Sequence, residues 1–509
     1  MAYGQCSVMS ATVRGVDVIP VRVEVVVSGG LPGISIVGMP DAAIQEARER
    51  VRAAVRAAGF SVPNEKIVVN LAPSSVRKMG SGFDVPMAVG ILAASQQIDP
   101  AWVKDALYVG ELSLDGRVRA VAGSLACGMC ARALGLDFVC AGEGDPVPLD
   151  DVNILALDRL SSLAQEGGAR AVLPAHRKSR GLAVASTAVD FHEVSGHEVA
   201  KRAFQIAAAG SHGILMMGPP GSGKTMLASR IPTILPPLTT DEALEAAVVH
   251  SVAGEPIEPV VAGQRPFRSP HHSATQAGLV GGGSPVRPGE ISLAHHGVLF
   301  LDELAEFRSS VLQSIRQPLE SGRVTLTRAE GSVTFPARFM LVAATNPCPC
   351  GYFGDDEHPC SCTVPQIRAY QNRIGGPLMD RIDLHMDVRR VPPRQVLEAE
   401  KGASSVQLRE GVLRGRAFAQ WRRARDQERR GSEGKVDSRT ALIHRYALKE
   451  DAQAFVVSMA EFHAMSARAL VRMLSVARTI ADIDESPTVQ RAHVAEAASF
   501  RVRDGIGGS

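Results

Sequence analysis

Aromatic residues are scarce in this chain, and long apolar runs are missing. Only 4% of the 509 residues are Phe, Trp or Tyr, so extended platforms that stack on exposed bases are not expected. The longest apolar runs, such as 297–301 and 214–217, fall far short of the ~20 residues that span a bilayer. The first ten residues have neither a basic segment nor a long apolar one. We therefore expect a cytoplasmic protein without a signal peptide or membrane contact.

The chain also lacks an excess of charge of either sign. Lys and Arg number 55, Asp and Glu number 53, and the formal net charge is +2. This balance excludes a globally basic nucleic-acid coat and an acidic disordered chain, but it allows a local basic surface. At roughly 100–200 residues per domain, the length predicts about three domains.

Composition and patterning divide the chain into three regions of an α/β protein. Residues 1–165 alternate strand and helix patterns, with an amphipathic helix predicted over 42–58. A polar stretch containing Gly and Arg, 166–189, is typical of a linker. Residues 190–391 carry the dense motifs, and residues 392–509 are mostly helical. Helical patterns in the last region cover 438–459, 466–483 and 488–500.

The clearest motif is GPPGSGKT, which fits the pattern GxxxxGK[ST] between a short apolar strand and a helical segment. Glycines let such a loop fold around a phosphate so that backbone N–H groups point inward, and the following helix N-terminus adds partial positive charge. We expect Lys224 to reach the β- and γ-phosphates of ATP and Thr225 to ligate Mg²⁺. The residues assigned to ATP binding are Gly218, Pro219, Pro220, Gly221, Ser222, Gly223, Lys224 and Thr225.

Two further apolar segments end in polar residues that suit the same site. The segment GVLFLDEL predicts a strand with Asp302 and Glu303 at its carboxyl end, which is where α/β sheets bind ligands. We assign Asp302 to the Mg²⁺ shell and Glu303 to polarising the attacking water. A third strand, 339–345, ends at Asn346, whose amide can orient water against the γ-phosphate. The alternatives are a solvated turn at the acid pair and a turn-forming Asn before Pro347.

Four of the eight cysteines lie within fifteen residues, spaced C-x-C-x9-C-x-C. Four thiolates on two short arms can surround a tetrahedral Zn²⁺, and a cytoplasmic setting argues against two disulfides. The loop 348–362 has little apolar content, so a metal would supply its folding energy. We predict a structural Zn²⁺ site without an open catalytic position, with an iron–sulfur cluster and free thiols as alternatives. The predicted ligands are Cys348, Cys350, Cys360 and Cys362.

The segments around these motifs carry a resemblance to a known family. DFHEVSGHEVAKRAFQIAAAGSHGILMMGPPGSGKTMLASR is followed by FRSPHHSATQAGLVGGGSPVRPGEISLAHHGVLFLDEL, then by ATNPCPCGYFGD and QNRIGGPLMDRIDLH. Together they resemble the magnesium-chelatase-like AAA+ proteins of the ComM/YifB type, and the resemblance runs over essentially the whole chain. It implies an AAA+ P-loop domain with a parallel sheet, followed by a helical lid.

The resemblance also implies a ring, expected to be a homo-hexamer, with ATP bound between subunits. A site of this kind takes a positive charge from the neighbouring subunit to stabilise the transition state. Arg381, in LMDRIDL, matches the family's trans-acting arginine, and a local ion pair with Asp380 or Asp383 is the alternative. In SARALVRML, Arg468 matches the second sensor arginine, and Arg472, one helical turn later, is the competing choice.

Alternating residues on both sides of a glycine-containing turn predict a β-hairpin over 323–336. In related ring translocases, a hairpin before the sensor strand lines the pore and grips nucleic acid. Arg323 and Arg328 are therefore the candidate DNA contacts, and a hairpin that only packs between subunits is the alternative. The glycine-rich segment 278–283 is a candidate second pore loop.

The N-terminal region resembles the Lon protease-like domain of the ribosomal-S5-like superfamily in GSGFDVPMAVGILAA and VGELSLDGRVRAVAGSLACGMC. The position of the Lon serine falls at about Met87, and that of the Lon lysine falls near Leu125. A serine–lysine dyad needs a hydroxyl and an amine, so we expect a binding or ring-capping role without peptidase activity. A basic surface, or else a plain solvated helix face, is predicted from Arg48, Arg50, Arg52, Arg56, Arg77 and Lys78.

From these features we predict a ring-forming motor that hydrolyses ATP and acts on DNA. ComM-type proteins are associated with branch migration of recombination intermediates during natural transformation. The resemblance thus implies a helicase for single-stranded or branched DNA, with recombination proteins as candidate partners. The alternative is a chelatase-like ATPase that remodels a protein partner, although no integrin-like metal-adhesion domain is visible in the sequence. The missing dyad disfavours an ATP-dependent protease.

Overall fold

The computed structural model describes residues 4–142, 149–164, 171–172, 189–328, 331–392, 402–432 and 441–501. They form a mixed α/β N-terminal region, a central region built on a parallel sheet, and a helical C-terminal region. Within these ranges, no helix is both long and apolar enough to cross a membrane. Most of the predicted linker, 166–189, lies outside them, although Ala171–Val172 forms a short strand.

An eight-stranded mixed sheet organises the N-terminal region, in the order β10-β9-β8-β5-β1-β2-β4-β3. The strands of this region, including the separate pair β6 and β7, are β1 (Gly4–Arg14), β2 (Asp17–Ser28), β3 (Gly33–Val37), β4 (Lys66–Ala72), β5 (Ala106–Tyr108), β6 (Glu111–Leu112), β7 (Val118–Arg119), β8 (Asp137–Cys140), β9 (Ile154–Ala156) and β10 (Ala171–Val172). Its helices are α1 (Ala42–Ala57), α2 (Asp84–Ala94) and α3 (Ser124–Leu134). The helix predicted over 42–58 is confirmed as α1, which Asp41 caps at its N-terminus.

A long antiparallel ribbon of β1 and β2 lies at the centre of this sheet, with Gly4 paired to Val27 at one end and Arg14 to Asp17 at the other. Along β2, buried and more exposed side chains alternate, as expected for a sheet with one face in the core. Helix α2 packs on the ribbon and is buried at all eleven positions. The ribbon is therefore anchored at one end in the N-terminal core.

The central region contains the motif-bearing elements. Its strands are β11 (Ile214–Met217), β12 (Phe267–Arg268), β13 (Gly281–Gly282), β14 (Arg287–Pro288), β15 (Val298–Leu301), β16 (Arg323–Arg328), β17 (Gly331–Pro336), β18 (Met340–Thr345) and β19 (Leu384–Asp387). Its helices are α4 (Glu198–Gly210), α5 (Lys224–Ser229), α6 (Ile231–Ile234), α7 (Thr240–Ala253), α8 (Glu258–Val261), α9 (Gln276–Val280), α10 (Glu290–Leu293), α11 (Ser309–Ser321), α12 (Val364–Asn372) and α13 (Gly376–Met379).

Five of these strands form a parallel sheet in the order β12-β15-β18-β11-β19. The residues of β11, β15 and β18 are all buried, because helices cover both faces of a parallel sheet and its strands become continuous apolar runs. Three predicted strand ends therefore meet at one edge. The P-loop follows β11, the acid pair follows β15, and Asn346 follows β18.

The C-terminal region consists of helices α14 (Ser405–Ser432), α15 (Ala441–Tyr446), α16 (Glu450–Phe462), α17 (Ala467–Ile483) and α18 (Arg491–Ser499). The helical patterns over 466–483 and 488–500 are confirmed as α17 and α18. The single helix predicted over 438–459 is wrong, because Ala447 adopts a left-handed φ of 52° and ends α15. The chain then pairs Leu448 with Val489 before α16 begins.

One apolar core joins the C-terminal helices to the five-stranded parallel sheet. It contains Phe204 of α4, Ile214 of β11, and Met473 and Ile480 of α17. The N-terminal region also contacts the central region, since Gly123 N–H donates to Ser251 O at 2.8 Å. The same two regions also share an apolar cluster, which contains Val13, Val16, Val252, Val333 and Phe335.

Candidate active site

The P-loop lies between β11 and α5. Gly221 and Gly223 have φ values of 77° and 84°, a left-handed conformation that glycine adopts without steric cost. The buried Lys224 ammonium donates to Gly218 O at 2.8 Å and Pro219 O at 2.9 Å, and it lies 3.3 Å from Asn346 Oδ1. Burial lowers the pKa of Lys224. The lysine is thus held inside the loop, beside the residue that ends β18.

Oxygen ligands suited to a divalent cation lie beside this lysine. Thr225 Oγ1 donates to Asp302 Oδ2 at 2.7 Å, so the first turn of α5 touches the end of β15. A hydroxyl and a carboxylate are hard ligands of the kind that Mg²⁺ takes in phosphate-binding sites. The structure therefore brings together Lys224, Thr225, Asp302 and Asn346, which the sequence placed in one site.

Glu303 lies at the same edge of the sheet and is held by a histidine. Its backbone is left-handed, with φ of 51°, and its Oε2 lies 3.0 Å from Nδ1 of His272. The His272 ring stacks on His271 with centroids 4.0 Å apart and meets Phe307 edge-on at 6.5 Å. The paired histidines are conspicuous in the sequence, but only the fold shows that one of them contacts the acid pair.

The predicted arginines occupy different surroundings. Arg381 forms an ion pair at 2.7 Å with Glu320, and not with the predicted partners Asp380 or Asp383. The difference arises because Asp383 is taken by Arg472, whose Nη1 lies 2.7 Å from Asp383 Oδ1 and also donates to Arg381 O. Arg468, the other lid candidate, is exposed in the first turn of α17.

Asp383 is the acidic centre of this group. Burial by itself would raise the pKa of its carboxyl, but hydrogen bonding and charge from His212, with the charge of Arg472, outweigh burial and lower the pKa to about 2. Its Oδ2 also accepts from Gly213 N–H at 3.0 Å. The carboxylate thus joins the start of β11 to the lid helix α17.

The four cysteines of the loop 348–362 lie together, with their sulfur atoms all within 4.8 Å of one another. The Sγ atom of Cys348 lies 3.4 Å from that of Cys350 and 3.7 Å from that of Cys360. The Sγ atoms of Cys350 and Cys360 are 3.6 Å apart. A tetrahedral site with Zn–S bonds of about 2.3 Å has sulfur atoms about 3.8 Å apart. Hydrogen bonding from the backbone of Tyr352 lowers the pKa of Cys350 to about 5, whereas burial and the neighbouring thiols raise the pKa of Cys348, Cys360 and Cys362. The residues fit a structural Zn²⁺.

The cysteine loop packs directly against the P-loop. A Cβ on Gly351 would lie 2.6 Å from Cδ of Pro220. Arg390 donates to Pro220 O at 3.0 Å and lies 3.4 Å from the buried carboxylate of Asp355. Its guanidinium also lies 5.6 Å from the ring centroid of Tyr352. Sequence reasoning missed Arg390, because it belongs to no motif and reaches the loop only through the fold.

Three family models match the chain. The model described as "Subunit ChlI of Mg-chelatase" matches residues 23–143, and the model described as "Magnesium chelatase, subunit ChlI" matches residues 190–396. The model described as "Magnesium chelatase, subunit ChlI C-terminal" matches residues 402–501. The protein YifB of Salmonella typhimurium is 39% identical over 495 residues, which cover 96% of each chain. Competence protein ComM of Haemophilus influenzae is 40% identical over 504 residues, which cover 97% of each chain. The chain belongs to the ComM/YifB family of magnesium-chelatase-like proteins.

Membership of this AAA+ family implies ATPase activity with ATP and Mg²⁺. The arrangement of Lys224, Thr225 and Asp302 fits both groups, since a buried ammonium and two hard oxygen ligands lie within one loop and the adjoining strand end. The parallel sheet and the helical C-terminal region are likewise consistent with an AAA+-like magnesium-chelatase fold.

The hairpin predicted over 323–336 is confirmed as the antiparallel pair β16 and β17. The residues at its turn, 329–330, lie outside the described residues. Arg323 and Arg328 are exposed on β16. On β17, Val333 and Phe335 are buried against the N-terminal region. One face of the hairpin is therefore held within the chain. Arg323 lies on the opposite face, and Arg328 ends β16 on the packed face but is itself exposed.

The basic surface predicted on the N-terminal region is wrong in two places. Lys78 is buried, and its ammonium donates to Gly38 O at 3.0 Å and to Pro73 O. Arg50 lies 2.8 Å from the buried carboxylate of Asp84. At the two positions compared with a protease dyad, Met87 and Leu125 are buried apolar side chains.

A second cluster, Glu245, His295 and His296, has the composition of a metal site but the geometry of a hydrogen-bond network. His295 Nδ1 accepts from Arg338 N–H at 3.0 Å, so in the neutral ring Nε2 carries the proton and points towards Glu245 Oε2 at 3.3 Å. Burial lowers the pKa of His295 to about 4. A protonated Nε2 has no lone pair to offer a metal, so this cluster is a hydrogen-bond network.

Proposed function

We propose that the protein is a ring-forming ATPase motor that acts on DNA, as a helicase promoting branch migration of recombination intermediates in natural transformation. The observation that carries this proposal is the likeness to competence protein ComM, at 40% identity over 97% of each chain. The exposed arginines Arg323 and Arg328 support it, because they lie on a hairpin directly before β18, the strand that ends at Asn346. We place this activity in the cytoplasm.

Within the ATP site, each residue has a role that its position supports. The P-loop, Gly218–Thr225, surrounds the phosphates with backbone N–H groups, and Lys224 contributes its charge to the β- and γ-phosphates. Thr225 and Asp302 provide the oxygen ligands for Mg²⁺. Glu303 accepts the proton of the attacking water after leaving His272, and Asn346, held beside Lys224 at 3.3 Å, orients that water.

We propose that six copies form the ring and that each ATP site is completed by the neighbouring subunit. Arg381 supplies the positive charge for the transition state of the neighbour's ATP, which requires it to leave Glu320. Arg468 acts as the lid sensor. Its exposure in α17 supports this assignment, because Arg472 is already bound to Asp383.

For the loop 348–362 we propose a structural Zn²⁺ held by Cys348, Cys350, Cys360 and Cys362. The sulfur spacings support a four-thiolate site, which leaves no open coordination position for catalysis. Metal analysis of the purified protein should give about one zinc per chain, as such a site predicts. A variant with all four cysteines changed to serine should give none, and an equal metal content in both proteins would contradict the assignment.

For the N-terminal region we propose a Lon protease-like domain of the ribosomal-S5-like type, over about 1–165, that binds or caps the ring without peptidase activity. The mixed sheet and the buried Met87 and Leu125 support it, because neither position offers a nucleophile or a base. The segment 166–189 then links it to the ATPase domain, 190–391, and the lid, 392–509. Recombination proteins are the candidate partners of this assembly.

The test is an ATPase and branch-migration assay with the purified full chain. ATP turnover is measured with single-stranded DNA, branched DNA, a protein substrate and no addition. We expect DNA to stimulate turnover and branched DNA to be resolved only with ATP. The family models are described by a chelatase subunit, so stimulation by a protein partner alone would favour a chelatase-like remodelling ATPase. No effect of DNA at low salt would refute the DNA motor.

A further inference from the structure

Three arginines from three separate elements lie on neighbouring backbone segments, which two close approaches of a guanidinium to a glycine bring together. Arg14 ends β1, and its guanidinium lies against Gly331, where an added Cβ would collide with it. Gly331 is the register partner of Arg328 across the hairpin. Arg328 Nη2 in turn lies 3.3 Å from the position of a Cβ on Gly282, and Gly282 is the register partner of Arg287 in the pair β13 and β14.

Glycines lie where each guanidinium approaches the neighbouring backbone, Gly331 beside Arg14 and Gly282 beside Arg328. Gly331 has φ of 114° and Gly282 has φ of 155°, values that side-chain-bearing residues rarely adopt. Neither has a Cβ that would hold the neighbouring guanidinium away. Arg287 and Arg328 are exposed and Arg14 is half-buried. The exposed Asp17 is the register partner of Arg14 at the ribbon turn.

The N-terminal ribbon is fixed on the hairpin by apolar packing, so the position of Arg14 is defined. Val13 and Val16, on either side of the turn, pack against Val333 and Phe335 of β17. At Gly15, an added Cβ would lie 2.5 Å from Cγ1 of Val333. The apolar contact that joins the two regions therefore also places Arg14 beside Gly331 of the hairpin.

We propose that Arg14, Arg287 and Arg328 form one phosphate-binding strip for a DNA strand, so that the N-terminal region grips DNA directly. This inference rests on the proposed DNA function and adds to it a contact from outside the ATPase domain. Guanidinium groups bind phosphate oxygens through paired N–H donors, and three of them on neighbouring elements can contact successive phosphates of a strand rather than a single anion. Contacts to phosphate oxygens do not depend on the bases, so the strip should bind DNA without sequence preference.

The test compares binding of a fluorescent single-stranded oligonucleotide by the full chain and its variants, with a slowly hydrolysed ATP analogue and a series of salt concentrations. Arg14→Ala should weaken binding about tenfold near physiological salt and reduce the slope of log K against log salt by about 0.7 for the lost phosphate contact. Arg287→Ala should behave in the same way. Arg14→Lys should recover most of the slope, since it keeps the charge.

Arg22→Ala is the matched control. Arg22 is an exposed arginine of the same ribbon, but it pairs with Met9, well away from the turn. It should leave DNA affinity and slope unchanged, and all four variants should keep the ATPase rate measured without DNA. If both Arg14→Ala and Arg287→Ala bind DNA with wild-type affinity and slope, this inference is overturned and the proposed function is not affected. Failure of the unaltered protein to bind DNA at low salt would overturn the proposed function, and this inference with it.

Discussion

The side chains of the nucleotide site contact one another directly. Lys224 reaches Asn346 at 3.3 Å, and Thr225 donates to Asp302 at 2.7 Å. These residues could be found from the sequence, because each lies in a local motif or at the end of an apolar strand. Their neighbours could not be found in that way. His272 on Glu303 and Glu320 on Arg381 are contacts between distant segments, and no local pattern encodes the partner.

Glu303→Gln should separate ATP binding from hydrolysis. The amide keeps the size of the side chain but cannot accept a proton, so kcat should fall about 10²–10⁴-fold while the Kd for ATP changes little. Turnover and nucleotide binding measured on the same preparation check this. Glu258→Gln, at an exposed glutamate of α8, is the control and should be unchanged. Hydrolysis at the wild-type rate would remove Glu303 from the mechanism.

Asp383→Asn should destabilise the fold by about 3 kcal/mol near neutral pH, because it breaks a buried ion pair and leaves Arg472 uncompensated. The folded-state pKa of about 2 lies below the ~3.9 of an unfolded aspartate. The stabilising contribution is thus complete above about pH 4 and is lost as the pH falls towards 2.

Urea unfolding at several pH values measures this effect. The deficit of Asp383→Asn relative to the unaltered protein should shrink as the pH is lowered from 7 to 3. Asp380→Asn, at a neighbouring exposed aspartate, should cost little at any pH. A deficit that stays constant with pH would show that the charge of Asp383 is not what stabilises the fold.

At the scale of elements, the cysteine loop packs against the P-loop through Gly351 and Pro220. Gly351→Ala should raise the Kd for ATP roughly tenfold, because its Cβ would press on Pro220 and displace the loop that surrounds the phosphates. Gly354→Ala is a close control, since Gly354 has a similar φ of 79° but no atom within 4 Å of the added Cβ. Equal ATP affinities in the two variants would show that the contact with Pro220 does not position the P-loop.

The elements show where sequence patterns succeed and where they fail. The hairpin β16–β17 and helix α17 were predictable because alternation and helical periodicity are local, and Ser466 caps α17 as a polar N-cap should. The break at Ala447 was not predictable. No Gly or Pro marks it, and it is stabilised by pairing with Val489, which lies in a distant segment.

At the scale of the whole molecule, the proposed ring can be tested by mixing two inactive variants. Arg381→Ala and Lys224→Ala should each abolish ATP hydrolysis alone, the first in the neighbour's site and the second in its own. Mixed in equal amounts, they should regain activity at about a quarter of the subunit interfaces, where an intact P-loop meets an intact arginine. Turnover measured across mixing ratios checks this. Mixtures that remain inactive would place Arg381 outside the neighbour's site.

The ribbon of β1 and β2 gives the molecule a mechanical connection. Eleven residues at about 3.3 Å each make a stiff lever of about 35 Å, with its root under α2 and its tip against Phe335. A displacement of about 3 Å at the tip turns a lever of this length through about 5°. Any displacement of the hairpin would therefore turn the N-terminal sheet with it, because the two are joined at the tip of the ribbon.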